Sequence, residues 1–148
     1  MENISIIGTG LMGYPMAQNI LKGNYKLTAF NRTFQKAEGL VAEGAKAVKS
    51  IKEALENSEI IITMLSDDEA VLKVIDNKEF LDNIKSNSIV IDMSSTKPVT
   101  SIEVDKLLKQ KNVNFLDAPV SGGTVGAKEA SLAIMVGGNE EIFNKVIN

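Results

Sequence analysis

Cysteine, histidine and tryptophan are absent from this sequence, and proline occurs only 3 times. Each absence excludes chemistry. Without cysteine there is no disulfide framework, no thiolate nucleophile and no iron–sulfur or zinc–thiolate centre. Without histidine there is no imidazole base, no Ser-His-Asp triad and no His-ligated metal. A carboxylate site for Mg²⁺ or Ca²⁺ stays open on composition alone. Basic charge is also in short supply, with 16 Lys+Arg against 19 Asp+Glu and a net charge of −3. A phosphate-backbone partner wants a basic face, so nucleic acid is not an expected ligand. No apolar run approaches the roughly 20 residues of a membrane span. The start, Met1-Glu2-Asn3-Ile4, lacks the basic opening of a signal peptide. The expectation is a cytoplasmic protein with no membrane partner.

What is present is ordinary for a globular domain: 148 residues, 44% hydrophobic and 24% charged. That length matches one domain, about 100–150 residues being commonest. No repeat, low-complexity tract or linker interrupts it. Asn3 to Ile7 is a short apolar run ending at a glycine, the mark of a buried strand. Met12, Met16 and Ile20 then recur at helical spacing up to Gly23-Asn24. Tyr25–Phe30 reads as a strand, Gln35–Glu43 as a helix closed by Gly44, and Ala45–Val48 as a short strand. Ser50 with Glu53, and Ser66 with Glu69, form capping-box patterns before two further helices. Between them Glu59–Met64 is the clearest strand.

Phe80–Ile84 reads as a short helix or turn and Ser88–Asp92 as a strand. A helix starts at Pro98 with Val104, Leu107 and Leu108 as its buried stripe. Asn114–Ala118 and Leu132–Val136 have strand length, and a last amphipathic helix runs from Glu140 to Asn148. Strands alternating with helices predict an α/β fold: Rossmann-type, doubly wound, mostly parallel, with helices on both faces. Continuous runs such as Ile60-Ile61-Ile62 suit parallel strands buried on both sides.

Gly8-Thr9-Gly10-Leu11-Met12-Gly13 matches GxGxxG. The pattern alone is weak, but a strand precedes it, a helix follows, and Asn3–Phe30 makes one βαβ unit of about 30 residues. Gly8 permits the tight turn, Gly10 leaves room for a pyrophosphate, and Gly13 lets helix and strand pack closely. The helix N–H groups and dipole attract the anion. The side chains of Met12 and Met16 are expected to pack in the core rather than contact the ligand. NAD-binding units carry an acid about 20 residues past the glycines for the ribose hydroxyls. Here Asn31-Arg32-Thr33 occupies that place. Asn31 removes the repulsion a carboxylate would exert on a 2′-phosphate, Arg32 offers a fork of donors, and Thr33 adds a hydroxyl. NADP(H) is therefore the expected cofactor, with NAD(H) the alternative.

Three further stretches are Ile62-Thr63-Met64-Leu65-Ser66-Asp67, Asp92-Met93-Ser94-Ser95-Thr96 and Asp117-Ala118-Pro119-Val120-Ser121-Gly122-Gly123. With the glycine turn and Asn31-Arg32-Thr33, they make the chain resemble the β-hydroxyacid dehydrogenases over essentially its whole length. That family includes 3-hydroxyisobutyrate dehydrogenase, tartronate semialdehyde reductase and glyoxylate/succinic semialdehyde reductase; 6-phosphogluconate dehydrogenases are more distant. The resemblance implies that Met64 and Leu65 border the cofactor, that Thr96 lies near the nicotinamide, and that Ser121, Gly122 and Gly123 receive the carboxylate of a small substrate. The residues agree on the last point, because a Ser beside two glycines offers a hydroxyl and unobstructed N–H groups. Thr96 equally suits a helix cap. Asp67-Asp68-Glu69 reads as first-turn acid rather than a metal site. Asp117 is expected to fix its loop and Lys128 to be a solvated loop lysine.

The resemblance also implies a two-domain enzyme. Residues 1–148 would be its NADP-binding domain, and an all-helical domain bearing the catalytic lysine and the dimer surface would follow Asn148. No catalytic residue is expected within this chain, so binding of NADPH without significant turnover is the expectation. The full-length reaction would interconvert a small 3-hydroxy acid and its semialdehyde or ketone by hydride transfer, in a homo-oligomer. Alternatives are a non-catalytic NADPH-binding or scaffold module, or a relative acting on 6-phosphogluconate or an imine.

Overall fold

A computed structural model of the chain describes residues 2–147. Its strands are β1 (Asn3–Ile7), β2 (Lys26–Phe30), β3 (Lys46–Val48), β4 (Ile60–Thr63), β5 (Ile89–Asp92), β6 (Asn114–Asp117), β7 (Val120–Ser121), β8 (Ala133–Ile134) and β9 (Gly137–Gly138). Its α-helices are α1 (Gly13–Lys22), α2 (Gln35–Glu38), α3 (Ile51–Leu55), α4 (Asp68–Ile75), α5 (Lys78–Asn83), α6 (Pro98–Lys109), α7 (Gly123–Glu129) and α8 (Glu140–Val146). Seven strands form the main sheet in the order β3-β2-β1-β4-β5-β6-β9. All its pairings are parallel except the antiparallel β6–β9 edge. The chain therefore winds outward from β1 in one direction, returns, and winds outward in the other. The crevice beside β1, where the winding reverses, is where such sheets hold ligands.

Alternation along the strands fills both faces. Ile6 and Ile62 join one core with Met16 and Ala17 of α1, Leu27 and Leu40. Ile7 and Ile61 join the other core with Leu55, Val71, Phe80, Val104 and Leu108. Consecutive apolar residues are thus read by opposite layers, which is why β1 and β4 are runs rather than alternating strands.

Several expectations shift in detail. The helix expected over Gln35–Glu43 is α only to Glu38, and Gly39–Glu43 tightens into a 3₁₀ turn that ends at Gly44, φ 105°. Glycine in the helical run weakens the α ladder there. The capping box expected at Ser66 and Glu69 is displaced by one residue: Asp67 is the cap, accepting from the Ala70 N–H at 2.8 Å. Ser50 caps α3 as expected, accepting from the Glu53 N–H at 3.2 Å. The run Leu132–Val136 yields only the two-residue β8, paired with β7 outside the main sheet. Lys128 lies in the last turn of α7 rather than in a loop. The last helix ends at Val146; its expected end at Asn148 lies outside the described residues. Among the described residues no helix is long and apolar enough to cross a membrane.

Candidate functional site

The glycine turn leaves β1 and enters α1. Gly8 holds φ 102°, and a Cβ there would stand 2.2 Å from the Met64 carbonyl oxygen. A Cβ at Gly13 would stand 1.9 Å from the Gly8 carbonyl oxygen. Both positions exclude any side chain. Gly10 is different: a Cβ there would meet nothing within 4 Å. The turn is closed at its ends and open at its middle, the shape a bound pyrophosphate needs.

Four helices close their N-termini with side chains: Ser50 for α3, Asp67 for α4, Asn77 for α5 and Asn139 for α8. Helix α1 has no side-chain cap and no acid in its first turn. The Tyr14 N–H is bonded to the Gly10 carbonyl at 3.0 Å and Pro15 has none, so what remains for an anion is the helix dipole and the N–H groups of the turn from Gly10 to Gly13. Leu11 stands 84% exposed on the same turn, and Met12 packs against the first core. Thr9 is only 2% exposed, so its side chain is withdrawn from a ligand on the turn.

Asn31 follows β2 and locks the turn. Its carboxamide oxygen accepts from the Thr9 N–H at 2.9 Å, and its Nδ2 donates to the Thr33 carbonyl at 3.1 Å. A neutral amide thus does structural work at the place of the usual acid. Arg32 and Thr33 are exposed beside it.

Met64 and Leu65, both half-buried, follow β4. The Met64 N–H donates to the Ile7 carbonyl at 3.0 Å, and Leu65 is held by residues to which the sequence assigned no role. Asp92 is 1% exposed at the end of β5. Its Oδ1 accepts from the Thr63 hydroxyl at 2.8 Å and from the Ser94 N–H at 3.2 Å. The Ser94 hydroxyl in turn accepts from the Leu65 N–H at 2.9 Å. Burial pushes the Asp92 carboxyl above its ordinary range, against the bonds from Ser94 and Thr63, and nearby Asp117 pushes it further up. The signal was an acid ending the apolar strand Ile89-Val90-Ile91-Asp92, since a buried carboxylate needs donors.

Thr96 does not cap α6. That helix starts after Lys97, whose N–H donates to Asp68 at 2.9 Å, and the Thr100 hydroxyl donates to the same oxygen at 2.5 Å. The Thr100 and Lys97 bonds lower the Asp68 carboxyl below its ordinary range. Asp68 is thus a tie between α4 and α6. Among the described residues no group of three or more His, Cys, Asp or Glu could hold a metal ion. The Thr96 hydroxyl lies 3.4 Å from that of Ser101. Ser101 also bonds to Asp117, whose carboxyl is raised by burial and lowered in part by that bond.

Ser121 ends β7, and Gly122 and Gly123 open α7 with φ 138° and 62°. All three are exposed. The segment is a defined strand-to-helix corner rather than a slack loop. The glycine turn, Asn31–Thr33, Met64–Leu65 and Thr96 all follow the C-terminal ends of parallel strands, so the fold brings them to one edge of the sheet.

The sequence profile matching residues 3–148 describes the NAD binding domain of 6-phosphogluconate dehydrogenase. An NAD-dependent L-serine dehydrogenase of Pseudomonas aeruginosa is 36% identical over 146 residues, which cover 98% of this chain and 49% of that protein. A mitochondrial 3-hydroxyisobutyrate dehydrogenase of Drosophila melanogaster is 37% identical, over 98% of this chain and 44% of its own length. The solved structure of Mycobacterium tuberculosis 3-hydroxyisobutyrate dehydrogenase with L-serine superposes with a TM-score of 0.93 at 33% identity, over 98% of this chain and 49% of that one. The chain thus spans about half the length of these relatives.

Proposed function

The chain belongs to the family of NAD binding domains of 6-phosphogluconate dehydrogenase, and from that premise we propose that it binds NADPH for an oxidoreductase of small 3-hydroxy acids. The nicotinamide, when bound, supplies or accepts the hydride. The chain's own residues bind and orient. Gly10 and the uncapped α1 N-terminus hold the pyrophosphate, and Gly8 and Gly13 keep that turn against Met64. Arg32 and Thr33 take the 2′-phosphate, beside an Asn31 that carries no repelling charge. Leu65, fixed through Ser94 by Asp92, and Thr96 border the nicotinamide half. Ser121, Gly122 and Gly123 receive the substrate carboxylate.

The observation that carries the reading is the open Gly10 between two closed glycines at an uncapped helix end. The substrate class rests on the relatives' names. L-serine and 3-hydroxyisobutyrate both bear a hydroxyl two carbons from the carboxyl carbon, which favours a small 3-hydroxy acid over a sugar-acid phosphate or an imine. One relative is named NAD-dependent, so cofactor preference rests on this chain's own Asn31 and Arg32. The proton-transferring lysine and a self-association surface are assigned to the part of the relatives' length that this chain does not span. The chain alone then binds without significant turnover.

Parallel fluorescence titrations with NADPH and NADH test the reading. NADPH should bind more tightly, and Arg32→Ala should weaken NADPH about tenfold or more, the loss expected of a charge-assisted hydrogen bond. Equal or tighter binding of NADH overturns the NADPH preference. Reduction of a semialdehyde by this chain at an ordinary enzymatic rate overturns the binding-only role.

A further inference from the structure

Lys49 lies directly after Val48, which is in register with Phe30 on the neighbouring parallel strand. Lys49 and Asn31 are thus the first residues after the paired ends of these two adjacent strands. The Lys49 ammonium sits 5.0 Å from the centroid of the Phe34 ring. Phe34 is half-buried and follows Asn31-Arg32-Thr33 directly. The negative ring face attracts the cation and restrains the long lysine stem.

Among the described residues no acid forms an ion pair with this charge: the ion pairs join Lys73 to Glu69, Lys109 to Asp105 and Lys111 to Asp82, and neither Lys49 nor Arg32 takes part in one. Glu53, four residues on, accepts instead from the Ser50 hydroxyl at 2.8 Å. Between Asn31 and Glu53 the chain carries five cationic side chains and three acidic ones, although its overall charge is −3. A local excess of positive charge on an acidic protein concentrates anions at that point.

We infer that Lys49 is a second cation for the 2′-phosphate of the cofactor and a determinant of preference for NADPH. The inference rests on the NADPH reading above. Arg32 presents a planar fork to the phosphate oxygens, and Lys49 adds a point charge from the adjacent strand. Seating on Phe34 restricts the lysine before the ligand arrives, so less side-chain freedom is lost on binding.

Adenosine 2′,5′-diphosphate and 5′-AMP differ only in the 2′-phosphate, and calorimetric titration of both against this chain isolates the effect. The unaltered chain should bind the diphosphate more tightly. Lys49→Ala should weaken the diphosphate about fivefold, the scale of an exposed ion pair. It should also flatten the salt dependence of diphosphate binding, with 5′-AMP affinity and melting temperature unchanged. Lys49→Arg should restore most of the loss. If the unaltered chain does not prefer the diphosphate, the cofactor reading fails and Lys49 falls with it. If that preference is present and Lys49→Ala leaves it intact, only the Lys49 assignment is overturned.

Discussion

Phe80 lies fully buried in the layer formed by α3 to α6, whereas Met135, just beyond β8, is 53% exposed. The contrast extends to their surroundings. Strand β4 is paired on both edges and all its residues are buried. Strand β8 pairs only with β7, and both its residues are exposed. Helix α8 has no buried residue, and Val125 of α7 is 63% exposed. Yet Leu132–Val136 and Ile60–Ile62 look equally apolar as text. Apolar composition marks a segment able to be buried; neighbours on both edges and both faces decide whether it is.

Truncation should break this symmetry most sharply. Phe80→Ala should cost about 4 kcal/mol in denaturant unfolding, the usual loss for a buried aromatic. A loss below 1 kcal/mol would mean that the second core is loosely packed. Gly13→Ala should follow at about 3 kcal/mol, because its Cβ collides with backbone that cannot rotate away. Gly10→Ala should leave stability within about 0.5 kcal/mol while weakening NADPH binding, since its Cβ faces open space. Equal stability losses at the two glycines would remove the distinction between the closed ends and the open middle of the turn.

A smaller effect is expected from pH. Burial raises the Asp92 carboxyl above its value in the unfolded chain. The folded state then holds that proton more tightly, so its stability falls as pH rises from the ordinary carboxylate range through the raised value. Asp92→Asn keeps an oxygen for Thr63 and Ser94 but cannot ionise. Its melting temperature should fall less between about pH 4 and pH 8 than that of the unaltered chain. An unchanged slope would place the titration elsewhere, with Asp117 the next group to test. The smallest effect belongs to the exposed end of the comparison: Met135→Ser should change stability by no more than about 0.5 kcal/mol. A larger loss would show that the exposed run contributes to the core.

Much of the architecture was legible because its signals are local. The apolar runs, the glycine turn and the Pro98 helix start each specify an element from a few adjacent residues. Asp67 in place of Ser66 as a cap shows where such reading slips, since two adjacent residues were both competent caps and only backbone angles choose between them. The 3₁₀ turn at Gly39–Glu43 is a similar case, a weak helix tightened around Leu40, which is buried in the first core.

The candidate site divides the same way. Its GxGxxG turn and Asn31-Arg32-Thr33 could be found by spacing alone. Asp92, Ser94 and Lys49 could not be assigned roles, because their partners lie on other elements. Asp92 meets Thr63 across 29 positions, and Asp68 reaches Thr100 across 32.

By itself the sequence determined the fold class, the parallel winding and the glycine turn between the first strand and helix. Periodicity, glycine conformation and helix-end chemistry are properties of neighbouring residues. Only the tertiary structure decided that Asn31 locks the glycine turn, that a buried Asp92 holds the Leu65 segment through Ser94, and that Lys49 rests on Phe34. Those contacts depend on register between strands, and register is set by packing of the whole sheet rather than by any single segment.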